Sequence, residues 1–151
     1  ILIVVSHAHS DIHGEVAERL RIAGQRYTTK RRTIIDLLAG VGQPMSIADL
    51  LERRNDLPQS SLYRNLVVLE ESGVVSKVVT TGDQARYELA EHLTGHHHHL
   101  LCSSCGAVRD VVVPDALEHE LDNALGKLAK REGFTLDRHR LDLIGRCSSC
   151  Q

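Results

Sequence analysis

The sequence predicts an α+β protein built from two small domains, one mainly helical and one a small α/β unit. Apolar residues recur at helical spacing through the first half, and that half ends in a β-hairpin pattern. In the second half, strand-like runs surround one further helix, and the four cysteines of the chain fall in two tight pairs. A length of 151 residues fits one ordinary domain or two small ones.

Composition excludes two broad classes of protein. Hydrophobic residues at 42% and charged residues at 25% are ordinary for a globular chain, so the sequence as a whole is not disordered. No apolar run approaches the roughly 20 residues that a membrane-spanning helix needs. The apolar start, Ile1 to Val5, has no basic residues before it, so we expect no secretory signal and a cytoplasmic protein.

Four helices are predicted before the hairpin, each from apolar residues three or four positions apart and from a capping or terminating residue. Ser46 and Asp49 resemble a capping box for the short third helix. Two β-rich segments flank the turn Thr81-Gly82-Asp83-Gln84 and predict the hairpin. The predicted helices cover residues 11–22, 29–39, 46–51 and the stretch from Pro58 to Gly73, and the predicted strands cover 74–80 and 85–89.

Helices followed by a two-stranded hairpin describe a winged helix, in which one helix leaves a face free for a DNA groove. The last predicted helix carries side chains of the hydrogen-bonding types that reach phosphates and base edges. The formal net charge of −2 hides a basic run without acidic residues between positions 19 and 32. A solvated helix face is the alternative, but the wing and the basic run together favour double-stranded DNA as a partner. The helix residues are Ser60, Ser61, Tyr63 and Arg64, and the basic residues are Arg19, Arg21, Arg26, Lys30, Arg31 and Arg32.

The second half predicts a β-β-α-β order, which is typical of a small α/β domain. Strands are expected at Leu100-Leu101 and over 108–113, and a helix with leucines at helical spacing begins at Pro114 and Asp115. A final strand is expected over 134–144. Residues 91–95, between the two halves, form a plausible hinge.

Cys102-x-x-Cys105 and Cys147-x-x-Cys150 each have the spacing with which two thiolates of one tight turn bind a zinc ion. Two such pairs complete a tetrahedral all-sulfur site. Because this site leaves no open position for water or substrate, we expect a structural Zn²⁺. A disulfide is disfavoured in the reducing cytosol, and a thioredoxin-like redox motif would leave the second pair unexplained.

Four consecutive histidines, His96 to His99, stand just before the first cysteine pair. Alternate side chains of a strand point to opposite faces of its sheet. His97 and His99 would then serve one metal ion, and His96 and His98 another. Neutral imidazole suits zinc, iron, nickel and manganese, so the ligand type does not name the metal. The alternatives to metal binding are that the four histidines belong to an expression tag or to a solvated polar loop.

These residues together resemble the ferric-uptake-regulator family of metal-responsive bacterial repressors. The most specific part of the resemblance is the histidine run leading into Cys102-x-x-Cys105, with the second cysteine pair at the end. The segments 24–31, Gly-Gln-Arg-Tyr-Thr-Thr-Lys-Arg, and 61–64, Ser-Leu-Tyr-Arg, also match. The resemblance implies a winged-helix DNA-binding domain at 11–90 after a tail at 1–10, then a hinge at 91–95 and a small C-terminal α/β dimerisation domain at 96–151.

The resemblance also implies two metal sites besides the structural zinc. By position, the ligands of a regulatory metal look like Glu88, His97 and His99, and those of a second metal look like His96, His98, Glu118 and His139. The implied function is that of a homodimeric repressor that binds palindromic operator DNA when loaded with a divalent corepressor metal, Fe²⁺, Zn²⁺, Mn²⁺ or Ni²⁺. On this interpretation Ser60, Ser61, Tyr63 and Arg64 contact the DNA, and Arg19, Arg26, Lys30, Arg31 and Arg32 neutralise its phosphates.

Two departures from the family leave the regulatory metal open. Pro44 occupies the place where iron-type members commonly add a histidine, and Ala90 occupies the place where zinc-type members commonly use a cysteine. The segment between the wing and the histidine run is longer than in the iron type, which makes His92 an additional candidate ligand. Further candidates are His7, His9 and His13, for which exposed positions in a tail are the alternative.

Other functions stay open as alternatives from the sequence. A peroxide sensor of the same family would use iron-bound histidines. A zinc enzyme needs an open metal position and a general base, often as His-x-Glu followed by Pro-Cys-x-x-Cys, and this arrangement does not occur in the chain. A metal store would fit the histidines but would give the winged helix no role. We therefore expect a regulator rather than an enzyme.

Overall fold

The computed structural model describes residues 9–80 and 85–151, with side chains from Ile12 onward. The chain divides into two compact units between His96 and His97, and each unit has its own three-stranded sheet. The predicted turn at 81–84 and most of the predicted tail, including His7, lie outside the described residues. Among the described helices, none is long and apolar enough to cross a bilayer.

The N-terminal unit has the predicted order of helices followed by a hairpin. Its helices are α1 (His9–Ile22), α2 (Thr29–Val41), α3 (Ile47–Arg53), α4 (Gln59–Glu71) and α5 (Glu91–Thr94). Its strands are β1 (Met45–Ser46), β2 (Val75–Val79) and β3 (Ala85–Leu89), with β3 in the centre and antiparallel to both neighbours. The core is aliphatic and includes Val16, Leu20, Ile34, Ile35, Leu50, Leu62, Leu66 and Leu69.

Local capping interactions explain where α2 and α3 begin. The Thr28 hydroxyl accepts a hydrogen bond from the backbone N–H of Arg31 at the start of α2. Ser46 and Asp49 form the predicted capping box, with bonds of 2.8 and 3.1 Å. Asp49 also pairs with Arg86 of β3 at 2.9 Å, which joins α3 to the wing formed by β2 and β3. Burial opposes ionisation of Asp49, but hydrogen bonds from Ser46 and the charge of Arg86 outweigh it and lower the pKa of this carboxyl.

The C-terminal unit has the predicted β-β-α-β order. Its elements are β4 (His98–Cys102), β5 (Val108–Val111), α6 (Asp115–Arg131) and β6 (Asp142–Gly145), followed by a 3₁₀ turn over Ser148–Cys150. Strand β4 lies in the centre, antiparallel to β5 and parallel to β6. Helix α6 has no buried residue, and large apolar side chains of this unit are exposed, among them Val112 at 74%, Phe134 at 73% and Ile144 at 64%. A single copy of this unit therefore leaves much of its apolar surface in water.

The structure differs from the sequence prediction in several elements. The last strand covers Asp142–Gly145 instead of 134–144, because β4 beside it is only five residues long and can pair with a short strand only. The expected hinge at 91–95 contains helix α5, since the apolar side chain of Leu93 is buried in the core of the N-terminal unit. The boundary between the units follows His96 instead of preceding it. The two-residue strand β1 was not predicted, and it pairs with the central strand of the wing.

Candidate metal centres and DNA-binding face

The four cysteines meet at one end of the sheet of the C-terminal unit. Cys102 ends β4, Cys105 lies in the turn after it, and Cys147 and Cys150 bracket the 3₁₀ turn after β6. All four sulfur atoms lie within 4.8 Å of one another, and those of Cys105 and Cys147 are 3.8 Å apart. Because β4 and β6 are parallel neighbours, their carboxyl ends bring together two pairs that are far apart in sequence.

The electrostatics of this cysteine centre favour a cation. Backbone N–H groups of Cys105, Cys147 and Ser104 lower the pKa of Cys102 to about 6, so this thiol ionises easily. Hydrogen bonds with Cys147 and Cys105 raise the pKa of the Cys150 thiol to about 12. Four thiolates at this separation would repel one another strongly, and a divalent ion removes that repulsion. A closed tetrahedral set of four sulfurs is the donor set typical of structural zinc.

The first histidine centre of the C-terminal unit contains His97, His99 and Asp110. The ligand atoms of the three residues lie within 4.8 Å of one another, and the two imidazole rings stand perpendicular with centroids 5.2 Å apart. Asp110 lies directly opposite His99 across the β4–β5 pair, and its Oδ1 is 3.8 Å from His99 Nε2. On the other side of β4, Asp142 of β6 lies opposite His99, with its Oδ1 3.2 Å from Nδ1. The sequence prediction missed both aspartates. The register of a hairpin that turns after Cys102 places Asp110 opposite His99, and this could have suggested Asp110 as a ligand.

The second histidine centre contains His98, Glu118 and His139. Glu118 lies in the first turn of α6, and each of its carboxylate oxygens contacts one histidine. Oε2 is 2.9 Å from His98 Nε2, and Oε1 is 2.9 Å from His139 Nε2. The two imidazole rings are stacked with centroids 5.2 Å apart, and His98 is almost fully buried. Asp122, one helical turn beyond Glu118, lies 3.1 Å from His139 Nδ1. The i, i+4 spacing of the two acids on α6 was the signal by which the sequence could have found Asp122.

Several other predicted ligands belong to the N-terminal unit. Glu88 lies on β3 opposite Ser76 of β2, and His96 pairs with Glu91 of α5. His92 of α5 lies 3.6 Å from Glu15 of α1, and burial is the main reason that its pKa is lowered.

The N-terminal histidines were predicted as further candidate ligands, with exposed positions as the alternative. His13 lies in α1 with a side chain only 17% exposed, between Tyr27 and Asp36. The side chains of His7 and His9 lie outside the described part of the chain.

The candidate DNA-binding face is formed by the first half of α4 and the start of α2. Ser60, Tyr63 and Arg64 are exposed on α4, with Tyr63 at 54%. Shallow grooves run on both sides of this helix, one toward α3 and one toward the start of α2, and Arg64 borders both. Lys30 lines the second groove, and Arg26 and Arg32 are exposed in the same segment of the chain.

Three residues predicted to contact DNA also make contacts within the protein, and two of them, Arg31 and Ser61, line the second groove. Ser61 is buried between α2 and α4, and its hydroxyl accepts a hydrogen bond from Lys30 Nζ at 3.4 Å, because it shares the buried face of α4 with Leu62. Arg31 is half-buried and donates to Asn65 Oδ1 of α4 at 3.1 Å, and burial lowers its pKa. Arg19 pairs with Glu15 and reaches the Gly73 turn after α4, at the end of that helix away from Arg64.

Comparison with known proteins gives a consistent assignment. Residues 22–144 match the model of the ferric uptake regulator family. The chain is 30% identical over 141 residues to the peroxide operon regulator of Bacillus subtilis, with 90% of this chain and 91% of that protein covered. It is also 30% identical to the ferric uptake regulation protein of Legionella pneumophila, with 91% and 99% covered. The ferric uptake regulator of Helicobacter pylori has the same fold, with a TM-score of 0.75 at 22% identity over 95% and 94% of the two chains.

These matches confirm the predicted fold class and the resemblance seen in the sequence. The metal-binding character of this family agrees with the cysteine and histidine clusters of the chain, which are able to hold metal ions. The protein belongs to the ferric uptake regulator family of metal-responsive transcriptional regulators.

Proposed function

We propose that this protein is a repressor that binds palindromic operator DNA as a metal-loaded homodimer and has no enzymatic activity. The observation that carries the proposal is the position of strand β4. Its five residues include one ligand candidate from each of the three clusters, at His98, His99 and Cys102. A single strand therefore connects a closed cysteine site with two histidine centres, and the chain that enters this strand comes directly from the DNA-binding unit.

We assign the roles of the ligands by their chemistry. Cys102, Cys105, Cys147 and Cys150 hold a structural Zn²⁺, because their closed sulfur set leaves no position for a substrate. His97, His99 and Asp110, with Glu88 from the N-terminal unit, hold the regulatory metal. His98, Glu118 and His139, with His96, hold a second metal. Imidazole and carboxylate donors suit Fe²⁺, Mn²⁺, Zn²⁺ and Ni²⁺, and the experiment below decides among these.

The mechanism is a change in the population of conformations. A metal site with ligands from both units favours one relative arrangement of those units, and only a difference in affinity between arrangements can shift their populations. A shift from mostly inactive to mostly active needs about 5.5 kcal/mol of preference. Within the DNA-binding unit, Tyr63 and Arg64 then read the groove, while Arg26, Lys30 and Arg32 neutralise phosphates.

The homodimer is supported by the apolar surface of the C-terminal unit. Helix α6 buries none of its residues, although its leucines are spaced as one apolar face. Leu117 and Leu128 are 46% and 45% exposed, and Ile144 of β6 is also exposed. Exposed apolar surface of this extent is typical of a protein interface. Two such subunits would match the two halves of a palindromic site. As a regulator of transcription, the protein would act in the cytoplasm, where the chromosome lies.

The test uses the demetallated full chain titrated with iron(II), manganese(II), zinc or nickel against a duplex enriched from a random pool by the metal-loaded protein. We expect tight binding with the cognate metal only, and loss of this response in His97→Ala/His99→Ala. His119→Ala is the matched control, since His119 is exposed on α6 and belongs to none of the three clusters. Metal-dependent binding that survives the double substitution would contradict the assigned regulatory site.

A peroxide-sensing repressor is the second candidate, because one of the relatives at 30% identity is named as a peroxide operon regulator. The same titration separates the two functions. A peroxide sensor loses DNA binding when peroxide is added to the iron(II) form but keeps it in the manganese(II) form. A sensor of metal supply is unaffected by this treatment at low peroxide concentration.

A further inference from the structure

A chain of polar contacts connects three segments of the DNA-binding unit. His13 of α1 lies with Nδ1 2.5 Å from the Tyr27 hydroxyl and with Nε2 2.9 Å from Asp36 Oδ1 of α2. The His13 side chain is 17% exposed, while Asp36 is 54% exposed. Both nitrogens of one imidazole are thus engaged, one by the loop before α2 and the other by α2 itself.

The partners determine which atom carries each proton. A carboxylate only accepts hydrogen bonds, so Nε2–H of His13 donates to Asp36. In the neutral imidazole Nδ1 is then an acceptor, and the Tyr27 hydroxyl donates to it. Burial, together with Asp36 and against the charge of Arg32, raises the pKa of Tyr27 to about 12, so the hydroxyl keeps its proton at neutral pH.

Tyr27 stands in the middle of the basic segment that the proposed function places against the phosphates. Arg26 precedes it, and Thr28 after it caps α2. The guanidinium of Arg32 lies 5.2 Å from the centre of the Tyr27 ring, within the range of a cation–π contact. Arg31 donates to the carbonyl of Arg26 and to the side chain of Gln25. The backbone of Arg26 is therefore held by Arg31, and the side chain of the next residue, Tyr27, is held by His13 and Arg32.

Helices α1 and α2 also share an aliphatic core besides the polar chain. Val16 and Leu20 of α1 and Ile34 and Ile35 of α2 are fully buried in the shared core. Burial of these aliphatic side chains supplies most of the packing free energy. The net contribution of a hydrogen bond is smaller, and its direction fixes the orientation of the groups that it joins.

We propose that His13 is a positioning residue for DNA binding, which holds Tyr27 so that Arg26 and Arg32 meet the phosphate backbone together. The inference rests on the proposed function, because it assumes that this face binds DNA. His13 itself does not touch the DNA. Its effect passes through the hydroxyl and the ring of Tyr27.

The test measures how the DNA association constant of the manganese(II)-loaded full chain depends on salt, with the enriched duplex described above. The slope of log Kobs against log[salt] falls by about 0.9 for each phosphate contact that is lost. We expect His13→Ala to reduce the slope by about 1.8, one contact in each subunit of a dimer. Tyr27→Phe, which removes the hydroxyl, should act in the same direction. His13→Asn keeps an acceptor near the position of Nδ1 and should restore most of the slope.

Val16→Ala is the matched control, since it loosens the packing of α1 but leaves the contacts of Tyr27 in place. We expect a lower Tm with an unchanged salt slope. A wild-type slope in His13→Ala, or an equal loss in Val16→Ala, overturns the inference while the proposed function stands. If the wild-type protein binds no duplex with any metal, the proposed function fails and the inference fails with it.

Discussion

Replacing Cys102 by serine should release the metal of the cysteine centre and unfold much of the C-terminal unit. A serine hydroxyl does not supply the thiolate that zinc prefers. The effect should be large because this unit has little else to stabilise it. Among the described residues of the unit, the buried apolar ones are Leu101, Cys102 and Val108, and α6 contributes none.

The magnitude follows from the chain that the site closes. Cys105 and Cys147 are 42 residues apart in sequence and 3.8 Å apart in space. A cross-link that closes a loop of this length removes about 13 cal/mol/K of entropy from the unfolded chain, which is about 4 kcal/mol at 25 °C. A unit the size of residues 97–151 has a free energy of unfolding of only about 3–8 kcal/mol in total. Loss of the site therefore removes most of the stability of the unit.

Hydrogen exchange measured by mass spectrometry gives the readout. A loss of about 4 kcal/mol corresponds to nearly a thousandfold loss of protection, and we expect it in peptides from β4, β5 and β6. Peptides from α2 and α4 serve as the internal reference, because those helices have their own core. Ser149→Ala, an exposed change between the last two cysteines, is the control and should keep both zinc and protection. Protection in β4 within tenfold of wild type, after loss of the zinc, would show that the cysteine centre does not stabilise this unit.

Three further predictions concern the N-terminal unit. Arg64→Ala should lower DNA affinity by about 1–3 kcal/mol and leave Tm unchanged, since the side chain of Arg64 is exposed. Fluorescence anisotropy measures the affinity and thermal melting the Tm, and a large drop in Tm would contradict the prediction. Leu66→Ala should cost about 2–5 kcal/mol in urea unfolding, because Leu66 is fully buried, and a cost below 1 kcal/mol would show that the core is not packed there. The pKa of Asp49 is lower in the folded state than in the unfolded one, so its stabilising effect is present at neutral pH and lost as pH falls through the folded pKa. Asp49→Asn should therefore weaken the acid dependence of unfolding, and an unchanged pH profile would exclude Asp49 as its source.

Much of the fold could be predicted because its signals are local. The start of α3 follows from Ser46 and Asp49, which form their capping box within four residues. The apolar spacing of Leu62, Leu66 and Leu69 predicts both the helix and the face that it buries. The predicted last strand was too long, since the extent of a strand depends on a neighbour that the local pattern does not contain.

The DNA-binding face shows where residue type is insufficient. Ser61 and Arg31 are of types that contact nucleic acid, and both lie in matching segments of the family. In the structure both line the groove between α4 and the start of α2, and each also bonds to the other helix, Ser61 to Lys30 and Arg31 to Asn65, so they connect α2 to α4. Which residue of a helix is turned inward depends on the helix packed against it, and this contact spans more than 30 positions in the sequence.

The family, the winged-helix order and the types of metal ligand could be read from the amino-acid sequence, because spacing, periodicity and donor chemistry lie within short segments. Which distant groups meet depends on the folded chain. Strand register placed Asp110 and Asp142 on the two sides of His99, and the packing of α6 placed Asp122 beside His139. Tertiary packing gave His13, a candidate ligand in the sequence, the Tyr27 hydroxyl and the Asp36 carboxylate as its partners. These pairings depend on contacts between separate elements, and a one-dimensional pattern does not encode the distance between them.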